Sequence, residues 1–292
     1  MASSEFSLRG LAGLVAAVAL VAVVTNANAA TLKQIKDRGY IRVAVANEIP
    51  YGYMTSKGTA KGFSPSTAKP VLKRMGIGQI QWTVMPYGSL IPALKADRVD
   101  IVASSLAVLP KRCTQVDYSV PNSTYGEGLM VKKGNPKDIH GYKDFKKNND
   151  LKMGIVSGAD QLEFAHKIGV PDDQLVMLKA NTDAASAVQS GRIDAYAGTQ
   201  FTVVRLAGKS DALQPAEPFH DPVIEGEPVR SWGAYGFNKN NDKLRKAFNK
   251  QLVAYQKKSE WRETLQHFGM DEHSINEVHK KTIKQLCSQS SS

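Results

Sequence analysis

The sequence predicts an α/β protein of two similar lobes, and three observations carry that prediction. The first is a pattern that occurs twice. Ala93–Ser104 reads A-L-K-A-D-R-V-D-I-V-A-S, and Ala187–Gly198 reads A-V-Q-S-G-R-I-D-A-Y-A-G. Each is a helix end, a Gly/Asp turn, an Arg, and an apolar strand punctuated by Asp100 or Asp194. A turn this short feeding an apolar strand marks the exit of a crossover helix in a parallel sheet. The second is that Tyr40–Ala46 and Leu151–Ser157 are both short apolar strands running into polar loops, with room in each half for helix, strand and helix before the repeat. The third is length: 292 residues suffice for two domains of ordinary size. Two such lobes facing each other enclose a cleft.

Taken in order, the first lobe is predicted to begin with helix Leu32–Arg38 and strand Ile41–Ala46, followed by a Gly-, Pro- and Tyr-rich loop from Asn47 to Gly62. Helix Pro65–Met75, strand Ile80–Met85, helix Leu90–Ala96 and strand Val99–Ser104 complete its core. The second lobe is predicted as strand Lys152–Val156, helix Ala159–Ile168, strand Leu175–Lys179, helix Thr182–Ser190 and strand Ile193–Ala197. Helical period and strand length set these types. Tyr125–Lys132 has the pattern of an extended crossing between lobes, with Arg230–Asn238 as its return partner. Asp242–Lys257 then places Leu244, Phe248, Leu252 and Tyr255 on one helical stripe, and Trp261–Phe268 is a further helix. The expected division is residues 30–126 with 231–292 in lobe I and 127–230 in lobe II. Two antiparallel crossings make a hinge that closes around a ligand.

Residues 1–29 are expected to be a signal peptide. Arg9 precedes an unbroken small-apolar run of fourteen residues, Leu11–Val24, and Ala27-Asn28-Ala29 supplies the small residues read at cleavage. The run is short for a membrane span, and no Cys lies near the cleavage site to carry a lipid. The mature chain is therefore expected free in the periplasm or otherwise secreted. In such an oxidising compartment the lone pair Cys113 and Cys287 is most economically a disulfide. The formal charge of +11 comes from scattered Lys and Arg with only short clusters, such as Lys132-Lys133 and Lys146-Lys147. No nucleic-acid motif accompanies them, so the reading is a soluble basic surface without a nucleic-acid partner.

Loops at the C-terminal ends of parallel strands are where such sheets bind ligands. In the first lobe they carry Glu48, Tyr51, Tyr87, Ser105 and Arg112. A guanidinium such as that of Arg112 offers a planar fork to a carboxylate, although a surface arginine has the same sequence appearance. Tyr51 and Tyr87 suit a cationic group, each contributing about 0.5–2 kcal/mol, and equally suit lobe packing. Glu48 either accepts hydrogen bonds from the same cation or is a solvated loop carboxylate. In the second lobe Ser157-Gly158-Ala159 follows a strand and opens a helix, a place for an anion on backbone N–H groups or for a simple N-cap. Thr199 ends the second repeat as a neutral hydroxyl facing the cleft.

With these residues in view, the chain from about Thr31 to Cys287 resembles periplasmic solute-binding proteins of the polar amino-acid uptake family, which serve ABC importers. Ser105–Arg112, followed by Asp117-Tyr118-Ser119 and Pro121, is similar to that family's characteristic segment, and Gly191-Arg192-Ile193-Asp194 through Gly198 to its second-lobe strand. In amino-acid binders of the family the next residue is usually an Asp that holds the α-ammonium; here it is Thr199. That departure argues against an ordinary α-amino acid. A narrower match, to the ectoine/hydroxyectoine-binding branch, is carried by Ala46–Met54, Tyr87–Pro92, Lys111-Arg112-Cys113, Gly134–Asp138, Asp194–Thr199, Ala216–Phe219 and the late Cys287. The resemblance implies that Arg112 takes a carboxylate, Glu48 meets ring nitrogens, and Tyr51 and Tyr87 flank the cation. The branch typically has a third aromatic where this chain has Ala107, and Phe63 stands where an acidic residue is common.

The reading that follows is a monomeric binding protein without cofactor or metal that delivers a small zwitterion to a membrane permease of an ABC importer. Its competitors are another cyclic or amino-acid-like solute admitted by Ala107, and a periplasmic cyclohexadienyl dehydratase using Glu48 or Asp160 as the acid.

Overall fold

A computed structural model describes residues 30–288, so the signal-peptide segment 1–29 lies outside the described residues. In chain order the strands are β1 (Tyr40–Val45), β2 (Tyr53–Met54), β3 (Ala60–Lys61), β4 (Gln79–Val84), β5 (Ile101–Ala107), β6 (Asp117–Tyr118), β7 (Ser123–Tyr125), β8 (Glu127–Lys132), β9 (Met153–Val156), β10 (Leu175–Leu178), β11 (Ala195–Thr199), β12 (Leu213–Pro215), β13 (Val223–Ile224), β14 (Glu227–Pro228) and β15 (Ser231–Phe237). They form two main sheets. One has the order β4-β1-β5-β15-β6, with β7 also on β15, and the other β10-β9-β11-β8-β12.

The repeat in the sequence is a repeat in topology. In each lobe the first strand lies in the middle and pairs in parallel with both the second and the third. Each third strand then meets an antiparallel partner, β15 beside β5 and β8 beside β11. These partners are the crossing segments. β7 leaves lobe I paired antiparallel with β15, Tyr125 opposite Ser231, and the chain passes through Gly126 into β8. Two strands thus connect the lobes side by side.

Packing explains the elements. Helix Asp242–Gln256 buries Leu244, Phe248, Leu252 and Tyr255, and Phe248 meets Tyr235 and Phe237 edge-on at 4.7 and 5.5 Å. The C-terminal helices therefore complete lobe I, as the returning strand requires. Cys113 and Cys287 form a disulfide, with Cα atoms 5.8 Å apart, between helix Pro110–Cys113 and helix Ile283–Ser288. No helix among the described residues is long and apolar enough to cross a membrane.

Several boundaries differ from expectation, each for a tertiary reason. The third strand runs to Ala107 rather than Ser104, because β15 pairs with Leu106 and Ala107. Helix Phe63–Arg74 starts before Pro65, where the Phe63 N–H donates to the Pro50 carbonyl at 2.9 Å. The loop after β1 is folded: Glu48 and Gly52 exchange backbone hydrogen bonds, and β2 and β3 form a hairpin. In lobe II the helix expected at Ala159 starts at Gln161, after a turn through Gly158 at φ +82°. Asp160, not Ser157, takes the N-cap position, and it makes no side-chain cap. Helix Gln200–Ala207 has no counterpart among the expected elements; Thr199 caps it by accepting from the Thr202 N–H at 3.3 Å.

Candidate ligand-binding cleft

The strand ends of both sheets converge on one pocket between the lobes. Glu48, Tyr51, Tyr87 and Ser105 reach it from lobe I, and Thr199 from lobe II, as the strand-end rule led one to look for. The structure adds Asp160, Asn181 and Tyr196 from lobe II and Tyr125 from the end of β7. Asn181 stands just past β10 and could have been found by the same rule; Tyr196 lies within β11 and had no such signal. The space in it open to the centre of a water-sized sphere is about 20 Å³. The lobes lie closed on each other.

Closure is held by a few named contacts. Thr202 Oγ1 of lobe II donates to Glu48 Oε1 at 2.7 Å, and lies 3.2 Å from the Ile49 carbonyl oxygen. Arg112 Nη2 donates to the Gly158 carbonyl at 2.8 Å. Ser231 Oγ, at the start of the returning strand, donates to Asp160 Oδ2 at 2.8 Å. Gly88 and Gly158 touch across the gap: a Cβ on Gly88 would come within 2.9 Å of the Ser157 carbonyl oxygen, and one on Gly158 within 2.7 Å of the Gly88 Cα. Ser157 itself is exposed and lines no part of the pocket.

Arg112 is buried, 8 % exposed, at the edge of the pocket rather than in its lining. Its Nη1 donates to the Ala107 carbonyl at 3.0 Å and to Tyr87 Oη at 3.2 Å, and its guanidinium lies 5.6 Å from the Tyr87 ring centre. Ala107 thus contributes a carbonyl that aims the arginine. Phe63 lies outside the pocket lining. It is fully buried behind Tyr51, edge-on at 5.5 Å, and also meets Phe201 and Phe268.

The electrostatics of the pocket are acidic. Burial raises the Glu48 carboxyl to about 7, with Asp160 adding to the rise and the Thr202 hydroxyl opposing it. Behind it Glu127 is buried too, accepting from Gln161 Nε2 at 2.8 Å and Tyr142 Oη at 3.2 Å, and burial pushes its carboxyl well above the usual range. Ser105 is held in the left-handed region at φ +48° by Ser64, whose Oγ accepts the Ser105 N–H at 2.8 Å. Among the described residues no group of three or more His, Cys, Asp or Glu could hold a metal ion.

Fold and cleft together define a two-lobe binding protein. Residues 41–271 match the bacterial extracellular solute-binding proteins, family 3, and the chain belongs to that family. It is 46 % identical over 264 residues, 90 % of this chain and 87 % of the relative, to a probable amino-acid ABC transporter periplasmic-binding protein, y4tE, of Sinorhizobium fredii. It is 27 % identical over 209 residues, 70 % of this chain and 76 % of the relative, to the lysine/arginine/ornithine-binding periplasmic protein of Escherichia coli. Among solved structures, EhuB in complex with hydroxyectoine superposes with a TM-score of 0.81 at 28 % identity, covering 89 % of this chain and 98 % of that one.

Proposed function

We propose that this protein is the periplasmic substrate-binding component of an ABC importer, and that its interlobe cleft takes a small zwitterionic solute of the ectoine and hydroxyectoine kind. The observation that carries the reading is the arrangement of Glu48, Tyr51 and Tyr87 on one pocket with Arg112 at its edge. A carboxylate pairs with the Arg112 guanidinium, and a delocalised cation meets Glu48 between tyrosine faces. The likeness to the hydroxyectoine-bound EhuB supports the ligand, and the Sinorhizobium fredii relative supports the transporter.

Loading requires an opened cleft, because the closed lobes bury Glu48, Tyr51 and Asp160 between them. The paired segments around Gly126 and Arg230 are the proposed hinge between lobe II, residues 127–230, and lobe I. On closure the solute takes over the donors that Arg112 and Thr202 now direct at protein oxygens. The binding is non-covalent, and the loaded monomer presents its closed lobes to the permease.

Thermal unfolding of the mature chain with ectoine, hydroxyectoine, proline betaine, arginine, histidine and glutamine tests this. A ligand at a hundred times its dissociation constant adds about 2.7 kcal/mol to stability. Ectoine or hydroxyectoine is expected to give that shift. No shift with either, alongside one with glutamine or histidine, overturns the ectoine assignment, and no shift with any member overturns the zwitterion reading.

A further inference from the structure

On lobe I, away from the cleft, helix Asp242–Gln256, the segment 278–283 and the residues after β6 enclose a hollow of about 540 Å³. It shares no lining residue with the interlobe pocket. Preformed hollows of about 300–1,000 Å³ are the usual size of small-molecule sites. Much of the lining is apolar: Val120, Pro121, Val253, Val278 and Ile283 contribute to it, and Val253 is 40 % exposed. One wall is fastened, since Ile283 opens the helix that the disulfide ties to Cys113.

The charged part of the lining has a single sign. Arg245, Lys257 and Lys281 line the hollow with His279, and no acidic residue does. Two hollows of similar size between the lobes differ. One combines Lys111 and Lys167 with Asp160 and Glu163, the other Lys167 and Arg230 with Glu163 and Glu227. Lys281 borders the second of these as well. Acids near the hollow are already engaged. Asp117 faces Lys239 and Arg245 at 3.8 and 3.7 Å, Asp242 pairs with Arg245 and with Lys246, and Glu277 pairs with Lys280 at 2.5 Å. Among the described residues, exposed Lys257 and half-buried Lys281 make no ion pair or side-chain hydrogen bond.

The uncharged polar groups point to the same chemistry. Asn249 Oδ1 accepts the Val120 N–H at 2.9 Å, and Gln256 Nε2 donates to the Pro121 carbonyl at 2.8 Å, so both amides are spent on the backbone. The Arg245 Nε is buried and finds no hydrogen-bond acceptor. Donors and positive charge are left over, and acceptors are lacking. Burial lowers the His279 imidazole, with Arg262 adding to the fall, so at neutral pH it supplies an uncharged ring, 5.3 Å from that of Trp261.

We propose that this hollow is a second ligand site, independent of the cleft, for a small organic acid with an aromatic or other apolar body. The carboxylate meets Lys257 and Lys281, and the body covers Val253 and Val120.

Methyl-labelled NMR of the mature protein, titrated with 2-naphthoate and with its neutral isostere 2-naphthamide, tests the site. 2-Naphthoate is expected to shift the Val253 and Val120 methyl signals and to leave that of Val156, in the cleft, unmoved. It is expected to bind about 5- to 10-fold more tightly than the amide, a comparison that needs no variant. Lys257→Gln combined with Lys281→Gln is expected to bring that ratio near one. Shifts at Val156 in place of Val253, equal affinities for acid and amide, a ratio that survives both substitutions, or no shift at all each overturn the proposal. Shifts of the Val253 and Val120 signals with protein concentration alone would assign the hollow to a second copy of the chain and overturn it too.

Discussion

Asp100 in lobe I and Asp194 in lobe II occupy the same place in the repeat, one residue ahead of the third parallel strand in each case, and they are tied to the central strand in the same way. The Asp100 N–H donates to the Arg42 carbonyl, and its carboxylate accepts the Arg42 N–H at 2.7 Å. Asp194 does the same with Lys152, at 2.8 Å. The neutralising charges differ. Asp100, its side chain 1 % exposed, is held by both Arg38 and Arg42, whereas Asp194, 11 % exposed, meets the single Lys137 at 2.7 Å. At the opposite, C-terminal strand ends, Glu48 and Asp160 line the pocket with no basic neighbour in its lining. The comparison separates two settings of a carboxylate: acids matched by basic side chains lock a sheet, and those without a basic neighbour line the pocket.

That contrast can be broken by mutation. Asp100→Ala leaves two guanidinium groups and a backbone N–H without their partner, and is expected to cost about 3–5 kcal/mol in urea unfolding. Asp194→Ala, more exposed and with one lysine, is expected to cost about 1–3 kcal/mol. Equal losses would show that burial and the second arginine do not set the difference between lobes.

The disulfide is a second asymmetry, since it belongs to lobe I alone and fastens the short helix that carries Arg112 to the C-terminal helix. It closes a loop across a sequence separation of 174 residues, so replacing both cysteines by serine is expected to cost about 2–5 kcal/mol. If Arg112 is positioned by its bonds to Ala107 and Tyr87, solute affinity at low denaturant is expected to survive that change. A loss of affinity larger than the loss of stability would assign the positioning to the disulfide instead.

What could be read from the sequence follows the same division. The repeat, the crossing segments and the stripe Leu244, Phe248, Leu252 and Tyr255 are local patterns, and each is an element in the structure. Glu48, Tyr51, Tyr87, Ser105 and Thr199 were legible because strand ends announce themselves by strand-then-loop composition. The rest depends on contacts between distant segments. Helix Gln200–Ala207 supplies Thr202, the partner of Glu48, and no pattern in the second lobe couples it to a residue 154 positions earlier. Arg112 stands out in the sequence by its chemistry alone, and its aim at the Gly158 carbonyl follows from closure, which no single segment encodes. Ser157 was misplaced for a local reason: the turn at Gly158 delays the helix and leaves Asp160 at its start.

Glu48 gives the sharpest test of the proposal that its charge meets the solute's cation. In an opened, solvated cleft its carboxyl has the ordinary value of 4.5, and in the closed pocket burial raises it to about 7. A carboxyl raised on closure binds a proton more tightly in the closed form. Closure without ligand is therefore most favoured below pH 4.5 and loses that contribution as pH rises through 7, by up to about 3 kcal/mol. A pair of fluorophores, one on each lobe, is expected to report a closed fraction that falls from pH 5 to pH 8, and Glu48→Gln is expected to flatten that profile. A cation seated against Glu48 removes the reason for the proton. Binding of a cation-bearing solute at pH 6 is then expected to release protons, read by calorimetry in two buffers of different ionisation enthalpy, and the affinity to rise toward pH 8. Proton uptake on binding would mean that the solute approaches Glu48 with an acceptor rather than a cation, and the assignment of the pocket's acidic side would fall with it.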